Sequence, residues 1–181
     1  MDSEHSFHAT LDMFSAHVNL LERLHGKPAM ATVSSFSGGF YTGKPQTQDH
    51  SHLLGMRAED PRTRGEPLRL HFRHTAGGYL LTIKNAGEHY NKLLSKSWFE
   101  VLGAQDPNTK MPTLFTLIDF QQNVLTPKTI KPGHSRISLM TANRKHVGGL
   151  RLRGSPYLYL AETEEQSKAT FILSNLGEKY P

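Results

Sequence analysis

The stretch "ISLMTANRKHVGGLRLRGSPYLYLAE" (residues 137–162) carries two apolar alternations, a polar turn and a Gly pair, and closes on Ala-Glu. Alternation with period two puts successive side chains on opposite faces, so "RISLMTA" (136–142) and "PYLYLAE" (156–162) read as half-buried β-strands. Looser versions of this unit lie upstream. The turns "SGGFYTG" (37–43), "AGGYLLT" (76–82) and "NRKHVGG" (143–149) each follow a short strand and return into another. Downstream, Ala58, Ala104 and Ala161 precede Leu68, Phe115 and Phe171 by ten, eleven and ten residues.

Further strands are expected at "ATVSSF" (31–36), "LRLHF" (68–72), "YLLTIK" (79–84), "WFEVLGA" (98–104), "LFTLIDF" (114–120) and "TFILSN" (170–175). Many short strands broken by turn residues predict a barrel or a sandwich. A unit that cannot bury its own apolar face, repeated three times, predicts closure around one core with no free sheet edge. The expected fold is all-β: a β-trefoil of three pseudo-repeats (about 30–72, 73–120 and 134–176) within a domain at 28–181. An immunoglobulin-like sandwich is the alternative.

Residues 1–27 read differently. Phe7, Leu11, Phe14, Val18 and Leu21 follow spacings of 4, 3, 4 and 3, which predicts one N-terminal amphipathic α-helix. Asp2 or Ser3 would cap its start, and Gly26 with Pro28 would end it. Its apolar stripe would cap the domain or mediate self-association.

The segment "ISLMTANRKHVGG…LYLAETEEQSKATFILSN" (137–175) resembles the repeat of fascin-like β-trefoil domains at Thr141, Ala142, Asn143, Lys145, Leu160, Ala161 and Phe171. The second unit matches in part, at Thr75, Ala76, Tyr79, Ala104 and Phe115, and the first only in outline. The resemblance implies a trefoil and, as one partner class, actin or another protein; no actin-contacting residue transfers. The Gln-x-Trp signature of ricin-type lectins is missing, since the single tryptophan is Trp98.

A chain of 181 residues is long enough to bury a sizeable core. Its formal charge of +5 points mildly to an anionic partner, though not to nucleic acid in particular. The absence of cysteine excludes disulfides, thiolate catalysis and Cys-ligated zinc. No signal-like leader and no long apolar run are visible. A cytoplasmic protein, or one exported without a cleaved N-terminal signal, is expected.

The chain shows no nucleophile elbow, phosphate loop, dinucleotide fingerprint or His-Glu-x-x-His, so a non-catalytic module without metal or cofactor is expected. The segment "KPQTQDHSH" (44–52) reads as a loop in which His50 and His52 share a face. Sugar sites combine an aromatic face with polar hydrogen-bonders. The candidate ligand-binding residues on that criterion are Tyr41 in the first unit, Tyr90, Asn91 and Trp98 in the second, and Asn143, Arg144 and Tyr157 in the third. The basic residues Arg57, Arg62, Arg64, Arg144 and Lys145 are candidates for binding a polyanion. A carbohydrate is the first expected ligand, by fold analogy. A protein partner and a polyanion are the alternatives.

Overall fold

Phe7, Ala9 and Leu11 are buried while His8, Thr10 and Asp12 between them are half-buried, which is the alternation of a strand. In the computed structural model, which describes residues 5–33, 36–37, 40–41, 46–60 and 65–177, this segment is a strand at the heart of a closed sheet.

The chain runs through β1 (Phe7–Asp12), β2 (Ala16–Leu20), a one-turn helix α1 (Leu21–His25), β3 (Met30–Val33), β4 (Phe36–Ser37), β5 (Phe40–Tyr41), β6 (Gln46–Asp49) and β7 (Leu54–Ala58). Next come β8 (Leu68–Thr75), β9 (Gly78–Ile83), β10 (Leu93–Trp98), β11 (Val101–Gln105) and β12 (Phe115–Asp119). It ends with β13 (Gly133–Thr141), β14 (His146–Arg151), β15 (Leu158–Thr163), a 3₁₀ turn (Glu165–Ser167) and β16 (Phe171–Gly177). No helix among the described residues is long and apolar enough to cross a membrane.

All the pairings are antiparallel. The ladder runs β11–β10–β9–β8–β1–β16–β13–β14–β15, and β15 returns to β11 at Ala161↔Val101, closing a circuit of nine strands. Strand β12 bridges β9 and β13 inside that circuit. β7 and β2 extend the sheet from β15. The antiparallel pair β2/β7 and the hairpins β10/β11 and β14/β15 meet at one end through Tyr159↔Gly55, Val101↔Ala161 and Leu53↔Gly103. Space there is short. A Cβ on Gly55 would lie 2.6 Å from the Leu158 carbonyl oxygen, and one on Gly103 would lie 2.8 Å from that of His52.

The main core fills the barrel with Leu11, Leu68, Leu70, Phe72, Leu81, Phe115 and Phe171, all fully buried. Phe7 stacks on Phe72 with ring centroids 4.8 Å apart. A smaller apolar cluster, with Leu21, Leu53, Val101, Tyr159 and Ala161, lies under the hairpins. Each such side chain contributes about 1.5–3 kcal/mol through removal from water.

The expected fold, a fascin-like β-trefoil within 28–181 preceded by a helix, is corrected here to an all-β closed barrel with additional strands. Residues 7–20 form two strands of the large sheet, and β1 pairs on both sides, with β8 and β16. The first expected unit, 30–72, opens on two small ladders, β3–β6 and β4–β5, that stand outside the barrel sheet. Phe14, placed on the helical stripe, is 85% exposed in the turn between β1 and β2. The chain turns there because Asp12 holds the next strand. Its carboxylate accepts the Val18 N–H at 3.2 Å and meets His17 Nδ1 at 3.3 Å. Without the helix, the expected self-association seam has no structural basis.

Strand and helix differ in what Phe14 does, and stability measurements separate them. Phe14→Ser is expected to change urea-unfolding stability by no more than about 0.5 kcal/mol. Leu11→Ala in β1 is expected to cost about 2–5 kcal/mol. Comparable losses for both would restore the helical stripe.

Candidate functional site

The aromatic and polar residues singled out by sequence are separated or covered. Tyr90 is half exposed, but the Lys84 ammonium lies 5.1 Å from its ring centre. That ammonium also donates to Asn91 Oδ1 at 2.6 Å, so Tyr90 and Asn91 are near each other with a lysine between them and a ligand. Tyr157 is buried, edge-on to His25. Asn143 and Arg144 are exposed in the β13/β14 turn, and Tyr157 sits at the far end of the β14/β15 hairpin. Five residue steps of strand separate those ends, roughly 17 Å. Tyr41 belongs to β5.

Trp98 is half-buried against the smaller core, and the His50 ring covers it at 4.6 Å between centroids. His50, expected on a loop, is instead buried just after β6. The Ser155 hydroxyl lies 2.7 Å from Tyr159 Oη, which lies 2.7 Å from His50 Nδ1, while His50 Nε2 faces Gln48 Oε1 at 3.2 Å. An amide oxygen only accepts, so Nε2 carries the proton and Nδ1 accepts from tyrosine. Both ring nitrogens are thus satisfied in the neutral form. Burial, aided by His52, holds His50 below its ordinary pKa. This is a structural network rather than an activated nucleophile.

Of the basic candidates, the structure describes Arg57, Arg144 and Lys145. Arg57 on β7 donates to the Leu24 carbonyl at 2.7 Å. Lys145 is paired with Glu164, and Arg144 occupies the exposed turn. Arg62 and Arg64 lie outside the described residues.

One donor set has the spacing of a metal centre. Ligand atoms of Glu22, Glu88 and His89 all lie within 4.8 Å of one another. Its chemistry does not fit a metal. His89 Nε2 sits 3.0 Å from Glu22 Oε1, and the Lys92 ammonium is 3.4 Å from Nδ1. An ammonium only donates, so Nδ1 accepts and Nε2 gives its proton to Glu22. A metal-bound imidazole needs an acceptor behind it, not a cation.

The larger recess is one that sequence reasoning missed. A cleft of about 730 Å³ is lined by the end of β12, residues 120–131, the start of β13 and Leu173 of β16. The connection is built on Asp119, whose Oδ1 accepts the N–H groups of Gln121 at 2.9 Å and Asn123 at 2.8 Å. Leu125 N–H bonds the Leu117 carbonyl at 2.8 Å, and Leu125 and Ile130 pack on the core, fixing the loop at both shoulders. Phe120 is left 72% exposed and Val124 59% exposed. Lys131, His134 and Arg136 also line the cleft. His134 Nδ1 is held 2.6 Å from Ser174 Oγ. Among the described residues, neither Lys131 nor Arg136 makes an ion pair. The arrangement offers a flat aromatic face in one recess with amides and with cations that make no ion pair among the described residues. A sequence signal existed: residues 120–132 form a connection longer than ordinary loops, and such connections are often functional.

The sequence matches no family model, and no curated protein matches it. The fascin-like resemblance therefore has no family match behind it and is withdrawn. Two solved structures are similar in shape. One is the lysenin pore, at 10% identity and a TM-score of 0.47, covering 94% of this chain and 46% of that one. The other is lysenin in complex with phosphocholine, at 9% identity and a TM-score of 0.46, covering 97% and 46%. The chain thus spans less than half the length of those lysenin chains.

A pH effect follows from the cross-strand pair His8↔His71, whose rings lie 4.5 Å apart. Burial, then the neighbouring His8, Lys84 and Arg73, lowers the His71 pKa from 6.5 to about 4. The unfolded chain therefore takes up this proton first. His71 favours folding above pH 6.5, and that contribution is lost as pH falls from 6.5 towards about 4. Thermal midpoints between pH 7 and pH 4 should fall less steeply in His71→Gln than in the parent. Parallel profiles would contradict this.

Proposed function

We propose that the protein is a non-catalytic recognition module that binds an acidic carbohydrate in the Phe120 cleft. The observation that carries this reading is an exposed aromatic face sharing a recess of about 730 Å³ with two cations, Lys131 and Arg136, that make no ion pair among the described residues. That volume falls in the range of small-ligand sites. An aromatic ring presents an apolar face to the C–H side of a pyranose. The amides of Gln121 and Asn123 suit sugar hydroxyls, and Arg136 suits a carboxylate or sulfate. The cleft is held by backbone bonds to Asp119 and by the packed Leu125, so little ordering is left for binding to supply.

Calorimetric titration with uronate-containing or sulfated oligosaccharides, beside neutral ones of equal length, tests the assignment. Phe120→Ala is expected to weaken binding of the acidic sugar at least about tenfold, or about 1.4 kcal/mol, with an unchanged thermal midpoint. Arg136→Gln is expected to reduce the preference for acidic over neutral sugars. Binding that survives Phe120→Ala unchanged would remove the cleft from consideration.

A further inference from the structure

A second cavity, of about 190 Å³, lies between the β2/β7 strand pair and α1 and shares no residue with the Phe120 cleft. His17 and Asn19 come from β2, Arg57 and Ala58 from β7, and Arg23, Leu24, His25 and Gly26 from α1 and its end; Gly65 and Glu66 complete the lining. We propose that this cavity binds a tetrahedral oxyanion, phosphate or sulfate, as the free ion or as a monoester.

Both guanidiniums are already held in place. Arg57 Nη1 donates to the Leu24 carbonyl at 2.7 Å, and Arg23 Nη2 donates to the Ala86 carbonyl. Each uses one of five N–H groups on that anchor, so the rest are fixed in direction with little freedom to lose. Pre-ordered, charged donors are what a small oxyanion needs, because no long side chain has to be frozen when it arrives.

The remaining polar groups leave room for this chemistry. Asn19 is occupied, giving its amide N–H to the Glu66 carbonyl at 2.9 Å and taking the Leu20 N–H at 2.8 Å. Glu66 also lines the cavity; its carboxylate lies 3.9 Å from Arg23 Nη1 and 3.4 Å from Asn85 Nδ2, which offsets part of its charge. Asp12 accepts from His17 Nδ1, so Nε2 of the neutral ring only accepts, and His17 lines the cavity without donating to the oxyanion. Burial, with Arg57 and Lys27 nearby, lowers the His25 pKa below its ordinary value. An anion here relieves the positive surroundings of His25, whereas a metal cation would meet two arginines. The backbone turns away at Gly26, where a Cβ would have nothing within 4 Å, so the wall is open to a ligand from that side.

The test follows the imidazole C–H resonances of His17 and His25 by NMR. Inorganic phosphate, sulfate and phenyl phosphate are titrated in turn, against chloride at equal ionic strength. Saturable shifts at both histidines with an oxyanion but not with chloride are expected. Saturation by the inorganic ions supports a free-ion site, and saturation by phenyl phosphate alone supports a monoester site. Arg57→Gln should weaken binding at least about tenfold. Because Arg57 also anchors the end of α1, Arg23→Gln serves as the second variant, with the same expected direction. Non-saturating shifts shared with chloride, or unchanged affinity in both variants, overturn the proposal.

Discussion

The ladder between β1 and β16 is the constraint on which the barrel depends. It joins the first described strand to the last, with Thr10↔Ser174, Leu11↔Leu173 and Asp12↔Ile172 in register. Without it, β1 and β16 would each present an unpaired edge, and the apolar faces of Leu11, Phe171 and Leu173 would open to water. With it, each strand has a partner on both sides, β8 for one and β13 for the other, and the core is enclosed. Closure is the structural answer to the sheet-edge problem. It also anchors the cleft, since Leu173 of β16 and Arg136 of β13 both line it.

At the opposite end the limiting quantity is space. Three antiparallel strand pairs converge where two glycines leave no room for a side chain, and Ala161 sits beside them. The small core beneath holds Leu21, which follows β2 directly and starts α1. The oxyanion cavity is a by-product of that crowding: α1 is pressed against the β2/β7 pair and tied down by Arg57. The two recesses therefore have different origins. One is a long loop braced on a barrel mouth, and the other is a gap between a short helix and a strand pair.

Much of the strand content was legible, because period-two alternation after Pro28 is strict in segments such as Leu68–Phe72 and Tyr79–Ile83. The N-terminal segment misled for a definable reason. Phe7 and Leu11 are four residues apart, as are Phe14 and Val18, and a spacing of four puts residues on one face of either a helix or a strand. Only the three-residue steps favoured a helix: Leu11 to Phe14 crosses the turn between β1 and β2, and Val18 to Leu21 crosses from β2 into α1. The site residues were least legible. Aromatic-plus-polar neighbours pick out Tyr90, Trp98 and Tyr157, but Trp98 is covered by His50 from a distant part of the chain, and the Lys84 ammonium over Tyr90 depends on how β9 and the following turn fold. Phe120 continues a strand pattern and looks like core until the turn at Asp119 swings it outward.

The ladder between β1 and β16 also sets a timetable. During synthesis β1 can dock on β8 once residue 75 has emerged. Its other edge stays open until residues 171–177 appear. While the residues between are made, the nascent chain carries an unprotected strand edge beside Leu11, a state prone to wrong pairings. Such a chain has reason to occupy a chaperone until β16 is made, and a truncation within β16 would harm folding more than its short length suggests.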